Sequence, residues 1–359
     1  MVLDRITLAR FRNHAETRLD GTARFNLLVG ENGAGKTNVL EALSLFAPGR
    51  GLRRAQLADI AAAPGPGGFA AGADLATPSG PVRLGTATTP ERPGRRLVQV
   101  NGAEVPAVRL GEWLSIGWLT PAMDRLFMEG AGGRRRFLDR LVLALSPDHA
   151  RNAARLEAAL RERNRLLAQP AEPEPAWLDA VEIQLAEAGA QVTQARLALV
   201  ERLSAVLAAL PSSPFARPEL AYMAGGPPAA DALIRALAEG RHRDRAAQRT
   251  LTGPHRDDLA VTMSGKGQSA AECSTGEQKA MLIALTLAHA QLLGSERPAV
   301  LLLDEVAAHL DPVRRDALFE RLAAGSAQVW LTGTEAGPFS AILGEAAAWQ
   351  VSNGAVSRL

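Results

Sequence analysis

The chain has 359 residues, of which 47% are hydrophobic and 22% are charged, values typical of a folded globular protein rather than a disordered or fibrous one. Its 40 basic and 38 acidic residues leave a net charge of +2, which does not by itself indicate a nucleic-acid binder. The one cysteine, Cys273, excludes an internal disulfide framework and a multi-thiolate metal site. We find neither an apolar run of ~20 residues nor an export segment after Met1, so we expect a cytoplasmic protein without a membrane partner.

The first third of the chain predicts strands around a glycine-rich loop. Alternation over 2–11 and an apolar run over 25–29 predict two strands, and an apolar-faced helix is expected near 36–46. Residues 61–107 are rich in glycine and proline and contain short alternating segments ahead of Asn101-Gly102. This pattern predicts strands joined by hairpins.

The middle of the chain predicts a helical hairpin. Ser146 is a favourable N-cap and Pro147 a favourable first-turn residue, so a helix is expected to begin there and to end near residue 168. After the proline-rich breaker 169–175, apolar or small residues recur in steps of three and four from Leu178 to Leu210. Because that spacing is typical of a coiled-coil seam, we expect a second, longer helix packed against the first.

The remainder of the chain predicts alternating helices and strands. We expect helices over 229–248, 277–293 and 312–324, and strands over 259–263, 299–303 and 328–332.

The sequence Gly30-Glu-Asn-Gly-Ala-Gly35-Lys36-Thr37 fits the phosphate-loop pattern G-x-x-x-x-G-K-S/T, with a strand predicted before it and a helix after it. Glycines let backbone N–H groups approach phosphates, and the helix start adds positive potential. Lys36 is expected to bind the β- and γ-phosphates of ATP, and the Thr37 hydroxyl to bind Mg²⁺. A glycine-rich turn with an incidental lysine is disfavoured by both flanks. The expected nucleotide-binding residues of the loop are Gly30, Glu31, Asn32, Gly33, Ala34, Gly35, Lys36 and Thr37.

Two carboxylates, Asp304 and Glu305, follow the apolar strand predicted over 299–303. Taken alone, such a pair usually marks the start of a helix. Combined with a phosphate loop, it predicts that Asp304 binds Mg²⁺ and that Glu305 polarises an attacking water, which makes Glu305 and Lys36 the candidate catalytic residues.

The segment Ser274-Thr-Gly276-Glu277-Gln278 precedes the helix predicted over 277–293 and has the spacing of a capping box. A serine and a glycine at a helix start also bind the γ-phosphate of a nucleotide, and both roles are compatible. Asp311 follows Glu305 at the distance of a loop that passes between subunits.

These four ordered motifs, Walker A, S-x-G-x-Q, D-E and L-D, resemble those of the ABC-type ATPases. The long insertion between the first two, with its helical hairpin, is similar to the split head of the SMC, Rad50 and RecF group, and the short hairpin is most similar to the RecF family. Further matches are Phe11-Arg12-Asn13, Thr37-Asn38-Val-Leu-Glu41-Ala, 130–139, 253–259 and 331–334.

The resemblance implies an α/β fold, an ABC-type P-loop NTPase head built from both chain ends with an inserted short antiparallel helical arm. We expect the N-terminal part of the head over 1–145, the arm over 146–249, and the C-terminal part, with the signature and Walker B, over 250–359. It also implies nucleotide contacts from Arg12 and Asn38.

A RecF-like function is implied by the same resemblance: a weak ATPase and recombination mediator that acts on gapped DNA or single-strand/double-strand junctions. RecR and RecO are the implied partners, with help in loading RecA. In the implied homodimer, Lys36 and Thr37 of one copy bind ATP and Mg²⁺, and Ser274, Gly276 and Asp311 belong to the contact between copies. The alternatives are a transporter energiser or a chromosome-structure ATPase, and, less well supported, a nuclease with a similar head, for which the chain leaves no residues.

Two features depart from the general ABC pattern. Where a switch histidine is expected, the chain has Thr332-Gly-Thr334, so γ-phosphate sensing there would use a hydroxyl or the backbone, and no Q-loop glutamine can be assigned. DNA contacts are also open, because an arginine cluster is equally compatible with a solvated or internally paired surface. The candidate clusters are Arg134, Arg135 and Arg136; Arg50, Arg53 and Arg54; and Arg241, Arg243, Arg245 and Arg249.

Overall fold

The strands and helices of the chain follow the predicted alternation in a computed structural model that describes residues 2–63, 65–77, 80–211, 213–294 and 297–359. The strands are β1 Leu3–Phe11, β2 His14–Asp20, β3 Phe25–Val29, β4 Phe69–Thr77, β5 Gly80–Thr89, β6 Arg92–Val100, β7 Ala103–Glu104, β8 Ser115–Leu119, β9 Pro218–Met223, β10 Asp258–Met263, β11 Gln268–Ser269, β12 Ala299–Leu303, β13 Gln328–Gly333, β14 Ala346–Ser352 and β15 Ala355–Arg358. The helices are α1 Lys36–Ser44, α2 Leu110–Trp113, α3 Ala131–Leu145, α4 His149–Leu167, α5 Pro175–Ala209, α6 Ala230–Ala246, α7 Thr275–Leu293 and α8 Pro312–Ala324.

The residues divide into two compact units. The first contains Met1–Asp124, Ser213–Phe215 and Leu282–Leu359, and the second contains Arg125–Ser212 and Ala216–Met281. These limits differ from the expected division at 145 and 249, because α3 and residues 250–281, with β10, β11 and the start of α7, group with the helical hairpin.

The first unit contains a largely parallel sheet in the order β15-β14-β3-β13-β12-β8, in which β15 alone is paired antiparallel among the described strands. Every residue of β3, β8, β12 and β13 is buried. Continuous apolar strands of this kind are expected where both faces of a sheet are covered. The carboxyl ends of β3, β12 and β13 therefore place the phosphate loop, Asp304 and Thr332 at one edge.

The same unit contains an antiparallel sheet in the order β2-β1-β4-β5-β6-β7. One apolar cluster packs side chains of this sheet, of α1 and of the parallel sheet together, and its largest members are Phe11, Phe46, Phe69, Trp118, Trp330 and Trp349. The hairpin expected at Asn101-Gly102 joins β6 to β7. Both residues have positive φ, 51° and 83°, as the tightest hairpin turns require.

The second unit contains α3, the hairpin of α4 and α5, α6, and a three-stranded sheet in the order β11-β10-β9. The hairpin seam is buried as predicted, with Leu156 of α4 packed in one cluster with Leu185 and Val192 of α5 and Leu237 of α6. Within this seam Arg163 is fully buried and bonded to Glu182 and Asp244, so three helices share one ionic network.

The start of the first arm helix was predicted too early. Ser146 is the C-cap of α3, where its N–H donates to Val142 O (2.8 Å), and α4 begins at His149. Ser146 thus ends α3 and does not start α4. The sequence does not predict strands β2, β8, β9, β11, β14 and β15 or helices α2 and α3. Within the ranges described above, none of the helices has the length and apolar character that a bilayer crossing requires.

Candidate nucleotide-binding site

The phosphate loop connects β3 to α1 through a backbone that needs glycine. Gly33 and Gly35 have φ values of 82° and 116°, in the left-handed region that side chains disfavour. At Gly30 a Cβ atom would lie 2.1 Å from the Val351 carbonyl oxygen. Gly35 is the N-cap of α1, and no described side chain caps that helix start. The first backbone N–H groups of α1 are therefore oriented as in an anion-binding helix N-terminus.

Lys36 is folded back onto the loop that carries it. Its Nζ donates to the carbonyl oxygens of Gly30 (2.5 Å) and Glu31 (2.8 Å), and its side chain is buried. Burial lowers the pKa of Lys36, while the negative charges of Glu305 and Asp304 act in the opposite direction. Two carbonyls satisfy the ammonium here, and phosphate oxygens are acceptors that can replace them.

Asp304 receives hydrogen bonds from two hydroxyls. Thr37 Oγ1 lies 2.9 Å from Oδ1 and 3.1 Å from Oδ2, and Thr332 Oγ1 donates to Oδ1 over 2.8 Å. Burial raises the pKa of Asp304, and both hydroxyl contacts counteract that rise. A threonine hydroxyl and a carboxylate are hard oxygen donors, so this pair fits the ligand preference of Mg²⁺.

Glu305 has a left-handed backbone conformation, with φ 51°, which is strained for a residue other than glycine. Its N–H donates to Thr332 Oγ1 over 2.9 Å. The Thr332 hydroxyl was considered as a γ-phosphate sensor. In the structure it is buried and bonded to both members of the carboxylate pair, whereas Thr334 is exposed.

Arg12 and Arg53 share a buried carboxylate on α1. Arg12 donates to both oxygens of Glu41 (2.9 and 2.7 Å) and to the Asp59 carbonyl (2.7 Å). Arg53 donates to Glu41 (3.0 Å) and to Asn38 Oδ1 (2.7 Å). The hydrogen bond with Glu41 raises the pKa of Arg12. Of the two predicted residues, Arg12 is thus bound to the Glu41 carboxylate of α1, and Asn38, on α1 itself, accepts from Arg53.

Arg96 of β6 anchors the chain that leaves α1. Its guanidinium donates to the carbonyls of Leu45 and Gly49, the latter over 2.8 Å, and to Thr86 Oγ1. Burial lowers the pKa of Arg96 to about 10. Carbonyls at a helix C-terminus carry partial negative charge, so the buried cation stabilises the end of α1.

The predicted signature segment, in the second unit, forms the expected capping box. Glu277 Oε2 accepts from the N–H (3.0 Å) and the hydroxyl (2.9 Å) of Ser274, and Glu277 Oε1 accepts from Lys266 Nζ (2.5 Å). These contacts lower the pKa of Glu277 to about 2. Ser274, Thr275 and Gly276 are exposed, and Gln278 is buried with its amide donating to the Cys273 carbonyl (2.9 Å). Asp311, in the first unit, caps α8 by accepting from Arg314 N (3.0 Å).

Several candidate DNA-binding arginines have partners inside the protein. Arg134 makes a bidentate pair with Asp258 (2.8 and 2.7 Å), and Arg135 donates to the Asp257 carbonyl (2.6 Å). Arg241 pairs with Glu182 and Asp179. Arg245 donates to the carbonyls of Gln169 and Pro170. The candidates that are exposed are Arg50, Arg53, Arg54, Arg136, Arg243 and Arg249.

A family model described as the RecF/RecN/SMC N terminal domain matches residues 2–347. The DNA replication and repair protein RecF of Mesorhizobium japonicum is 46% identical to this chain over 99% of it and 97% of the relative. That of Rhizobium meliloti is also 46% identical, over 99% of this chain and 98% of the relative. The chain belongs to the RecF family.

Solved structures agree with this RecF-family assignment in fold. A structure of the recombination mediator protein RecF with ATP in the RecFOR pathway has a TM-score of 0.88 and 22% identity, covering 100% of this chain and 97% of that one. An SMC head domain from Pyrococcus furiosus, bound to the C-terminal domain of ScpA, has a TM-score of 0.55 and 14% identity, covering 100% and 96%. The predicted family and the predicted α/β ATPase-head fold are thus confirmed.

Sequence reasoning missed two polar residues that contact the site. Asn13 lies on the turn between β1 and β2, His14 is the first residue of β2, and both contact the back of the phosphate loop. Asn13 belongs to the family match Phe11-Arg12-Asn13, which assigns it no role, and a lone histidine gives no signal of where it will be buried.

Proposed function

We propose that this chain is a recombination mediator and weak ATPase that binds ATP with Mg²⁺, dimerises around ATP, and acts on DNA at single-strand gaps and junctions. The main observation behind the proposal is the contact between the phosphate loop and the carboxylate that follows β12: Thr37 Oγ1 lies 2.9 Å from Asp304 Oδ1. Family membership supports it, since the relatives are named for DNA replication and repair.

In this proposal the residues of the first unit divide the chemistry among them. Lys36 exchanges two loop carbonyls for the β- and γ-phosphates, and the N–H groups at the start of α1 bind the remaining phosphate oxygens. Thr37 and Asp304 would hold Mg²⁺, which neutralises phosphate charge when bound. Glu305 is the general base that takes a proton from the attacking water, and Thr332 fixes the Glu305 backbone for that role.

The signature helix start is the proposed second half of the ATP site, contributed by another copy of the chain. Ser274, Thr275 and Gly276 are exposed, as a surface that meets a partner must be. Ser274 and Gly276 would bind the γ-phosphate, and Asp311 would contact the facing copy. Hydrolysis removes that phosphate and with it the bridge between the copies, so ATP turnover resets the dimer.

The dimer is proposed to bind DNA through exposed arginines such as Arg243 and Arg249, because phosphate contacts need guanidinium groups that reach solvent. RecR and RecO are the proposed partners, loading of RecA the proposed outcome, and the cytoplasm the proposed location.

Light scattering with ATP tests the ATP-bridged dimer. Glu305→Gln should accumulate dimer, Lys36→Ala should remain monomeric, and Ser274→Arg should bind ATP without dimerising. Ser357→Arg, at an exposed serine of β15, is the matched control and should dimerise as the wild type does. Equal monomer fractions in all variants would reject the mechanism.

DNA binding is tested by fluorescence anisotropy with gapped DNA. Affinity should require ATP and fall as salt rises, since counterions are released when phosphates are neutralised. Binding of the same strength without nucleotide would contradict an ATP-dependent clamp.

A further inference from the structure

The turn between β1 and β2 lies directly behind the phosphate loop. Asn13 Nδ2 donates to the Ala34 carbonyl over 3.0 Å, and the N–H of Gly354, in the turn between β14 and β15, donates to the same oxygen over 2.9 Å. His14 Nε2 lies 3.1 Å from the carbonyl oxygen of Gly35. Two consecutive carbonyls are therefore contacted from behind by groups that are distant in sequence, and the Gly35 carbonyl also accepts from the N–H groups of Asn38 (3.0 Å) and Val39 (3.3 Å) in α1.

The direction of these carbonyls decides the direction of the neighbouring N–H groups. In a planar trans peptide the C=O and the following N–H point to opposite sides. With the carbonyls of Ala34 and Gly35 held toward the β1–β2 turn, the N–H groups of Gly35 and Lys36 point away from it. Those are N–H groups of the kind with which a phosphate loop binds phosphates.

His14 is enclosed on every side. Its side chain is fully buried, and Nδ1 lies 2.9 Å from Thr17 Oγ1, whose single hydroxyl proton it accepts in the tautomer that carries its own proton on Nε2. A carbonyl oxygen only accepts, so the Nε2 that faces Gly35 carries the proton. Burial lowers the pKa of His14, which keeps the ring neutral and in one tautomer near neutral pH.

The contact is also tight in space. A Cβ atom at Gly35 would lie 2.8 Å from His14 Nε2, and one at Gly354 would lie 2.0 Å from the Asn13 carbonyl. The loop and the two turns therefore pack without room for a shift of the backbone.

We propose that His14 is a positioning residue for nucleoside triphosphate binding: its Nε2–H fixes the Gly35 carbonyl and thereby aims the Lys36 N–H at the phosphates. This inference rests on the proposed ATP binding, and it assigns to a buried imidazole a role in nucleotide affinity as well as in packing.

The test is the ATP dissociation constant of the full-length chain, measured by calorimetry. His14→Leu removes the donor and should weaken ATP binding about five- to tenfold, the effect of one lost hydrogen bond. His14→Gln places an amide N–H near the position of Nε2 and should restore the affinity to within about twofold. His255→Leu is the matched control, because His255 is a mostly buried histidine whose Nε2 contacts a backbone carbonyl, that of Thr250 (2.9 Å), in the second unit. It should leave the ATP affinity unchanged.

Thr17→Val keeps the test decisive if His14→Leu does not fold. Valine is nearly isosteric with threonine but lacks the hydroxyl that hydrogen-bonds His14 Nδ1. The loss of this contact should weaken ATP binding about two- to threefold. Unchanged affinity in His14→Leu or, failing that, in Thr17→Val would overturn the role of His14. Equal losses in His14→Leu and His255→Leu would overturn it as well. A wild-type chain that binds no ATP would instead overturn the proposed function itself.

Discussion

Thr332 Oγ1 donates a hydrogen bond to Asp304 Oδ1 over 2.8 Å and accepts one from the N–H of Glu305 over 2.9 Å. One hydroxyl thus joins the proposed metal ligand to the proposed general base. It lies at the end of β13, the strand after which a switch histidine would be expected. Because its hydroxyl is engaged in these two hydrogen bonds, we expect Thr332 to act through Asp304 and Glu305 rather than on a nucleotide directly.

Replacing Thr332 by valine should lower kcat for ATP hydrolysis by about 10- to 100-fold, because a general base displaced by a fraction of an ångström loses much of its effect. The ATP dissociation constant should change little. Steady-state kinetics with a binding titration measures both, with Thr332→Ser expected to retain most activity and Thr334→Val as the exposed control. A loss confined to ATP affinity would contradict this role.

Glu305→Gly should raise the free energy of unfolding by roughly 0.5–1 kcal/mol, because glycine adopts the left-handed conformation of this position without strain. The same variant should hydrolyse no ATP, since the base is removed. Urea denaturation followed by tryptophan fluorescence provides the stability. A less stable Glu305→Gly protein would show that the backbone conformation is not strained.

Arg163→Leu should destabilise the helical hairpin by about 3–5 kcal/mol, because Glu182 and Asp244 would be left as uncompensated buried charges beside Arg241 alone. The matched control is Arg161→Leu, whose pair with Glu157 is exposed and should contribute little. Equilibrium unfolding of both variants tests the difference. Similar stabilities would argue against the buried network as a stabilising element.

Asp139 should make the protein sensitive to acid. Burial alone would raise the pKa of this carboxyl, but hydrogen bonds from His149 and Arg196 lower it to about 2. Because the folded pKa lies below the unfolded value of about 3.9, the stabilisation is complete above pH ~4 and is lost as the pH falls toward 2.

The measurement is the unfolding free energy of wild type and Asp139→Asn across this range. The wild type should lose about 2 kcal/mol more than the variant between pH 5 and pH 2. Parallel curves for the two proteins would show that another carboxyl causes the acid sensitivity.

Much of the fold could be predicted because the strongest patterns come from local spacing. Strands β3 and β12 are buried along their whole length, and α5 has one buried face. Such burial is visible in the spacing of apolar residues within a short segment of sequence. Strand β15 has only four residues and β14 is rich in alanine, so their periodicity is weak. Ser146 illustrates another limit: a serine between two helices can end the first or start the second, and the local sequence does not distinguish the two roles.

The site was predictable to the extent that its chemistry is carried by contiguous motifs. The phosphate loop and the Asp304-Glu305 pair were located from sequence, and the contact between Thr37 and Asp304 follows from the way parallel strands end at one edge. The roles of His14 and Thr332 depend on partners brought together by the fold. Likewise, Arg134 is neutralised by Asp258, a residue 124 positions away, which no local charge count reveals.

The salt bridge between Lys266 and Glu277 has a consequence for how an anion is exchanged at the signature helix. The Glu277 carboxylate accepts hydrogen bonds from the N–H and hydroxyl of Ser274, so both donors are satisfied in the absence of a nucleotide. A phosphate that binds there would have to displace this carboxylate, which is also an anion. Lys266 can hold the displaced carboxylate aside. A copy of the chain outside the proposed dimer would then have Ser274 donors that are already hydrogen-bonded, so release of the partner would leave no donor of Ser274 unsatisfied.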